Sequence, residues 1–258
     1  MDKNIARNIE SWIYEYVNSA HAKGVILGMS GGKDSFVTAA LCVNALGKDK
    51  VLGIIMPNGN MKDCHIAEES CKELGINYYI INIQDIYNLF IGSVRKVTSD
   101  LNTVTTFNLP PRIRMTLLYA IAGSLGYLVA NTSNLSEKEV GYTTKWGDNV
   151  GDFAPLANFT MSEVVELGLE LGLNKNYVCK VPDDGLSGQS DEEKLGFSYD
   201  SLDKFIRQGI KDDSFDKIEL MHKRNLHKRE ITSFKNNFEN YFDKKEQKWE
   251  YQKKIKNF

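Results

Sequence analysis

The chain of 258 residues has no apolar run long enough to span a bilayer. It also has no excess of either charge: 32 lysines and arginines stand against 34 acidic residues, a formal net charge of −2. That balance gives no electrostatic reason to expect nucleic acid or an anionic membrane as a partner. Cysteine is scarce. Cys42, Cys64, Cys71 and Cys179 include no C-x-x-C pair, which speaks against a disulfide framework and a zinc site. Four reduced, partly buried thiols are expected. The N-terminal MDKNIARNIE carries charges where a secretory signal needs an apolar stretch, so a cytoplasmic protein is expected. No internal repeat is present. What the chain does have is 42% hydrophobic residues, enough for one sizeable core.

Ile5, Ile9, Trp12, Ile13, Tyr16 and Val17 recur at helical spacing and predict an amphipathic N-terminal helix. Apolar β-type runs follow at Val25–Met29, Val51–Met56, Tyr78–Ile83 and Tyr127–Ala130. Helical segments lie between them at Asp34–Leu46, Met61–Leu74, Asp85–Val97 and Arg112–Leu125. Continuous apolar strands alternating with helices predict an α/β fold, a parallel sheet with helices on both faces. Ligands then bind beyond the C-terminal strand ends. The second half is less regular. Lys145–Asn158 reads as a polar loop, and Thr160 with Glu163 as a capping box opening a helix over Ser162–Leu171. Val181–Asp191 reads as another loop, and Tyr199–Arg207 and Asp216–Leu226 as helices. The C-terminal tail, residues 231–258, is rich in lysine, with Phe234, Phe238 and Phe242 spaced as on one helix face. A helix docked on its own or a neighbouring subunit is expected there, in preference to a nucleic-acid-binding tail.

The first strand ends in Gly28-Met29-Ser30-Gly31-Gly32-Lys33-Asp34-Ser35 and runs directly into a helix. Adjacent glycines let the backbone turn tightly and bring N–H groups to a ligand, and the helix start adds unpaired donors. The segment is therefore an anion cradle. It lacks the spacing of a Walker A loop and of G-x-G-x-x-G. Asp34 has the chemistry to hold Mg²⁺ on a bound pyrophosphate.

Ser-Gly-Gly-x-Asp-Ser resembles the loop of enzymes that split ATP between its α and β phosphates. Further segments narrow the resemblance. Asn108-Leu-Pro-Pro-Arg112-Ile-Arg114-Met115 is similar to the N-x-x-A-R-x-R-M of NAD synthases, and Asn131-Thr132-Ser133-Asn134-Leu-Ser136-Glu137 to their G-T-x-N-x-S-E. Gly141-Tyr-Thr-Thr144-Lys145-Trp-Gly147-Asp148, Pro182-Asp-Asp-Gly-Leu and His227-Lys228-Arg229 also resemble family segments, in order, over residues 1 to 230. The resemblance implies a single synthase domain over residues 1–230, of the Rossmann-like, adenine nucleotide alpha-hydrolase type. It implies amidation of deamido-NAD in two steps, adenylation by ATP and then attack by ammonia. It implies Mg²⁺ held by Asp34 and Glu137, and ATP contacts from residues 28–35 and from Thr132, Met161 and Asp183. It also implies deamido-NAD contacts from Arg112, Lys145, Asp152, His227 and Lys228, and a loop carrying Asp148 over the reacting carboxylate. Asp34, Glu137 and Asp148 form the expected catalytic set. No segment resembles a glutamine-hydrolysing domain, so ammonia is expected free or from a separate protein. A homodimer is implied, with Asp85–Val97 and Arg112–Leu125 as the expected interface.

The chain departs from the pattern at several positions. Met161 stands where the family often has a phosphate-contacting lysine, and Asp183 where it has a threonine. Asn131, Ser133, Asn149 and Val150 replace glycines, so the covering loop is expected to follow a different path, because valine tolerates positive φ poorly. Lys33 is expected to take over part of the missing lysine's role. Two other readings stay open: a different ATP-splitting enzyme acting on another carboxylate or on tRNA, and a nucleotide-binding relative without turnover.

Overall fold

The computed structural model describes residues 4–59, 64–180 and 190–229. Four parallel strands, β1 (Gly24–Gly28), β2 (Val51–Ile55), β3 (Asn77–Ile80) and β4 (Tyr127–Val129), form one sheet in the order β3-β2-β1-β4. The helices among the described residues are α1 (Ile5–Ser19), α2 (Lys33–Leu46), α3 (Cys64–Leu74), α4 (Gln84–Val94), α5 (Thr103–Leu125), α6 (Leu135–Val140), α7 (Met161–Glu170), α8 (Lys175–Val178), α9 (Asp191–Leu195), α10 (Tyr199–Gln208) and α11 (Phe215–Asn225). None is long and apolar enough to cross a membrane.

The strands sit in register because their apolar residues are needed on both faces. Val25 pairs with Val51 on one side and Leu128 on the other. Val25, Leu27, Val51 and Ile55 pack with Ile13 of α1, Phe36 of α2, Cys71 of α3 and Leu167 of α7. Ile26, Leu52, Ile54 and Val129 pack on the opposite face with Ile113, Leu118 and Ala122 of α5. The predicted double coverage therefore holds for β1 and β2. It fails at β3, an edge strand whose Tyr79 is 63% and Ile80 49% exposed. The predicted strand Tyr78–Ile83 ends earlier, at Ile80. Its pairing nevertheless continues as two further bonds, Ile81 N to Ile55 O and Ile83 N to Pro57 O, each 2.8 Å.

The largest difference from expectation is α5. The sequence reading starts this helix at Arg112. The helix begins at Thr103, where Asn102 caps it by accepting from Thr105 N at 2.9 Å. Pro110 and Pro111 lie inside it, so the ladder bonds they would donate are missing. Tertiary packing outweighs that loss: Pro110 and Ile113 are buried. The second half matches the reading closely. Thr160 and Glu163 form both halves of the predicted capping box on α7. A third core cluster joins Val140, Met161, Leu195, Tyr199, Leu202 and Ile218. Residues 231–258 and the loop from Val181 to Gln189, including Asp183, lie outside the described residues.

Candidate active site

β1 and β4 are neighbours, but the chain leaves β1 into α2 and β4 into α6. The crevice between such strand ends is where an open parallel sheet holds its ligand. A cavity of about 370 Å³ opens there. Of the glycine loop, Gly28, Met29, Ser30, Gly32, Lys33, Asp34 and Ser35 line it, and Gly31 alone stays outside the wall. Gly31 takes a φ of 84°, a left-handed turn that suits glycine. The two serines shape the loop from within. Gly32 N donates to Ser30 Oγ at 3.1 Å, and Ser35 Oγ donates to Gly32 O at 2.9 Å.

Asp34, in the first turn of α2, and Glu137, in the first turn of α6, both line the cavity. Asn134, fully buried, ties them together. Its Nδ2 donates to Asp34 Oδ1 at 3.0 Å and its Oδ1 accepts from Glu137 N at 3.0 Å, while its own N donates to Glu137 Oε2 at 3.1 Å. Burial, and then the charge of Asp34, push the Glu137 carboxyl well above its ordinary range, against the pull of the Asn134 bond and of Lys33. Two carboxylates tied to one asparagine beside the glycine loop match a hard cation that takes carboxylate and phosphate oxygens, so the residues fit Mg²⁺.

The covering loop carries Asp148, which lines the cavity and whose Oδ1 accepts from Thr144 N at 2.6 Å. Burial there raises its carboxyl, opposed by the Thr144 N–H, Lys228 and Arg114. The lost glycines do not need a left-handed backbone: Trp146 and His21 are the non-glycine residues with positive φ among those described. The substitutions instead hold the loop. Asn131 Nδ2 donates to Asp148 O at 2.8 Å and to Val150 O at 3.2 Å, and Ser133 Oγ donates to Asp148 O at 3.1 Å. Gly151 remains glycine because a Cβ there would lie 2.6 Å from Asn131 Cβ.

Thr132 and Met161 line the cavity, and Lys33 does so while 5% exposed, its Nζ 3.9 Å from Asp34 Oδ2. The residues expected at deamido-NAD are spread more widely. Arg112 Nε donates to Lys145 O at 3.1 Å, and Lys145 Nζ lies 5.4 Å from the Trp146 ring centre; neither side chain lines this cavity. Asp152 and Lys228 line a second hollow of about 310 Å³. There Asp152 accepts from Val129 N at 2.7 Å and Tyr119 OH at 3.3 Å. Lys228 Nζ donates to Gly141 O and Thr143 O at 2.7 and 2.9 Å. His227 is exposed on the 3-10 turn Leu226–Lys228.

Three charged residues of the cavity wall fell outside the sequence-predicted site. Arg114 lines the wall, its Nε donating to Met56 O at 2.9 Å. Residues two apart on a helix face different ways, so the helical phase of Arg112 and Arg114 was the available signal. Lys180 and Asp191 also line the wall, and Tyr142 OH donates to Asp191 Oδ1 at 3.0 Å. The sequence reading gave neither of them a site role. Burial drives the Cys42 and Cys71 thiols up to about 12, which makes them inert.

The family model for NAD synthase matches residues 5–248. The chain is 45% identical over 208 residues to an NH(3)-dependent NAD(+) synthetase of Methanocaldococcus jannaschii, covering 80% of each chain. Among solved structures, it is similar to the NMN synthetase of Francisella tularensis, with a TM-score of 0.85 and 34% identity, over 92% of this chain and 99% of that one. It is also similar to an NH3-dependent NAD synthetase of Campylobacter jejuni, crystallised with nitrate, with a TM-score of 0.75 and 29% identity, over 92% and 100%.

Proposed function

The chain belongs to the NAD synthase family, and from that premise we propose that it amidates deamido-NAD with ammonia, consuming ATP. The nicotinate carboxylate oxygen attacks the α phosphorus and pyrophosphate leaves. Ammonia then attacks the activated carbonyl carbon, sheds a proton, and AMP departs with the former carboxylate oxygen. The observation that carries the reading is the pair of carboxylates, Asp34 and Glu137, clamped by Asn134 at the mouth of the glycine loop.

Each residue has a task in that reaction. The loop N–H groups and the start of α2 receive the pyrophosphate. Asp34 and Glu137 hold Mg²⁺, which when bound neutralises phosphate charge. Lys33, Arg114 and Lys180 add positive charge around a site where two polyanions meet. Thr132 and Met161 flank the nucleotide. Asp148 and its loop, braced by Asn131 and Ser133, exclude water from the adenylate. Arg112, Lys145, Asp152, His227 and Lys228 form the deamido-NAD side. The enzyme works as a homodimer through α4 and α5, whose Leu89, Phe90, Val104 and Phe107 are 51% to 73% exposed. Its cysteines are free thiols, in keeping with a cytoplasmic enzyme.

Phosphorus NMR of the products tests the chemistry. One AMP and one pyrophosphate per amide formed are expected, and ADP with phosphate would contradict the reading. The likeness to an NMN synthetase favours one alternative, a mononucleotide carboxylate as preferred acceptor. Deamido-NAD and nicotinate mononucleotide in competition decide between them.

A further inference from the structure

Tyr199 opens α10 and is held from two sides. Its N donates to Glu192 Oε1 at 2.7 Å, and its ring, 5% exposed, packs with Val140, Leu195 and Leu202. Its hydroxyl is buried and has no hydrogen-bond partner among the described residues. A buried hydroxyl without a partner is costly and needs a reason to persist. Tyr199 lies in one core cluster with Val140 of α6, the helix that carries Glu137 in its first turn, and α10 packs directly on α6. The acidic groups that act on its hydroxyl are Glu137 first, then Asp191 and Asp34. Glu137 Oε2 already accepts from Asn134 N at 3.1 Å, which leaves Oε1 for a second donor or for the cation.

We propose that Tyr199 is a further positioning residue of the reaction: its hydroxyl donates to the Glu137 carboxylate when that carboxylate turns to hold Mg²⁺. The inference rests on the reading that Asp34 and Glu137 hold the cation. A ligating carboxylate takes its orientation from such outer donors, and their removal weakens metal binding while leaving the ligands in place. Tyr199 does not line the cavity, so it acts through Glu137.

The test uses the full chain, Mn²⁺ as the probe and α,β-methylene ATP as a nucleotide that is not split, with free Mn²⁺ read by electron paramagnetic resonance. Tyr199→Phe keeps the ring and removes only the oxygen. It is expected to weaken Mn²⁺ binding by roughly 10-fold or more, with metal-free nucleotide binding unchanged and the metal-free melting temperature equal or higher. Unchanged Mn²⁺ affinity in Tyr199→Phe, beside a large loss in Asp34→Asn, overturns the role of Tyr199 alone. Unchanged affinity in Asp34→Asn overturns the metal assignment beneath it. A melting temperature that falls together with the affinity marks structural damage and also overturns the proposal.

Discussion

Asn134 Nδ2 donates to Asp34 Oδ1 at 3.0 Å, joining residues 100 positions apart in the chain. The same side chain caps α6 through Glu137, so one buried amide fixes both carboxylates of the proposed cation site. Its replacement has two separable effects. Asn134→Ala removes a helix cap worth about 1 kcal/mol and frees Asp34 to rotate. Calorimetry is expected to show a lower melting temperature, and Mn²⁺ titration a weaker site. Retained metal affinity would contradict the clamp.

Asn131 stands where the resemblance to the family implies a glycine, yet its side chain braces the covering loop at Asp148 O and Val150 O. Asn131→Gly restores the family residue and is expected to impair this enzyme. The loosened loop admits water to the adenylate, so AMP release exceeds amide formation. The ratio of AMP to NAD is the readout. A ratio of one in the variant, as in the wild type, would show that the loop seals without Asn131.

Lys33 lies in the cavity wall, 5% exposed, in a protein whose Met161 supplies no charge to the same wall. Lys33→Ala is expected to raise the KM for ATP severalfold with a smaller effect on the KM for deamido-NAD. Lys180→Ala, which removes a second lysine from the same wall, provides the comparison. Equal ATP KM values for wild type and both variants would remove these lysines from phosphate binding.

Arg207 Nη2 and Nε donate to Glu163 Oε2 and Oε1 at 2.5 and 2.7 Å. Burial pushes the Glu163 carboxyl up, but the bonds from Arg207 and from Thr160 N outweigh it and hold it below its ordinary value. A carboxyl so depressed contributes stability fully above its unfolded pKa of about 4.3, and that contribution is lost as pH falls through the folded value. Arg207 is 41% exposed, so solvent limits the contribution to about 0.5 kcal/mol. Arg207→Ala is expected to melt below the wild type near neutral pH, with the gap closing under acid conditions below the ordinary carboxylate range. A gap of constant size across that range would show that Arg207 acts by packing.

Much of this arrangement was legible in the sequence. Continuous apolar runs gave the parallel sheet, and the glycine loop ending β1 located the cavity. Both rest on local rules of spacing and backbone freedom. The start of α5 was not legible, because Pro110 and Pro111 signal a boundary locally and only the packing of Pro110 and Ile113 overrides it. Nor was the role of Asn131, since a lost glycine reads as a defect until its amide is seen bonded to a loop 17 residues away. Arg114, Lys180 and Asp191 reach the wall through tertiary placement, and of these only Arg114 left a helical-phase signal.

The most direct test of the central claim is NAD formation from ATP, Mg²⁺, deamido-NAD and ammonium, followed through alcohol dehydrogenase, with Asp34→Ala run beside the wild type. The account predicts NAD from the wild type and none above background from the variant. ATP binding by the wild type with no NAD, and no pyrophosphate released, would contradict it.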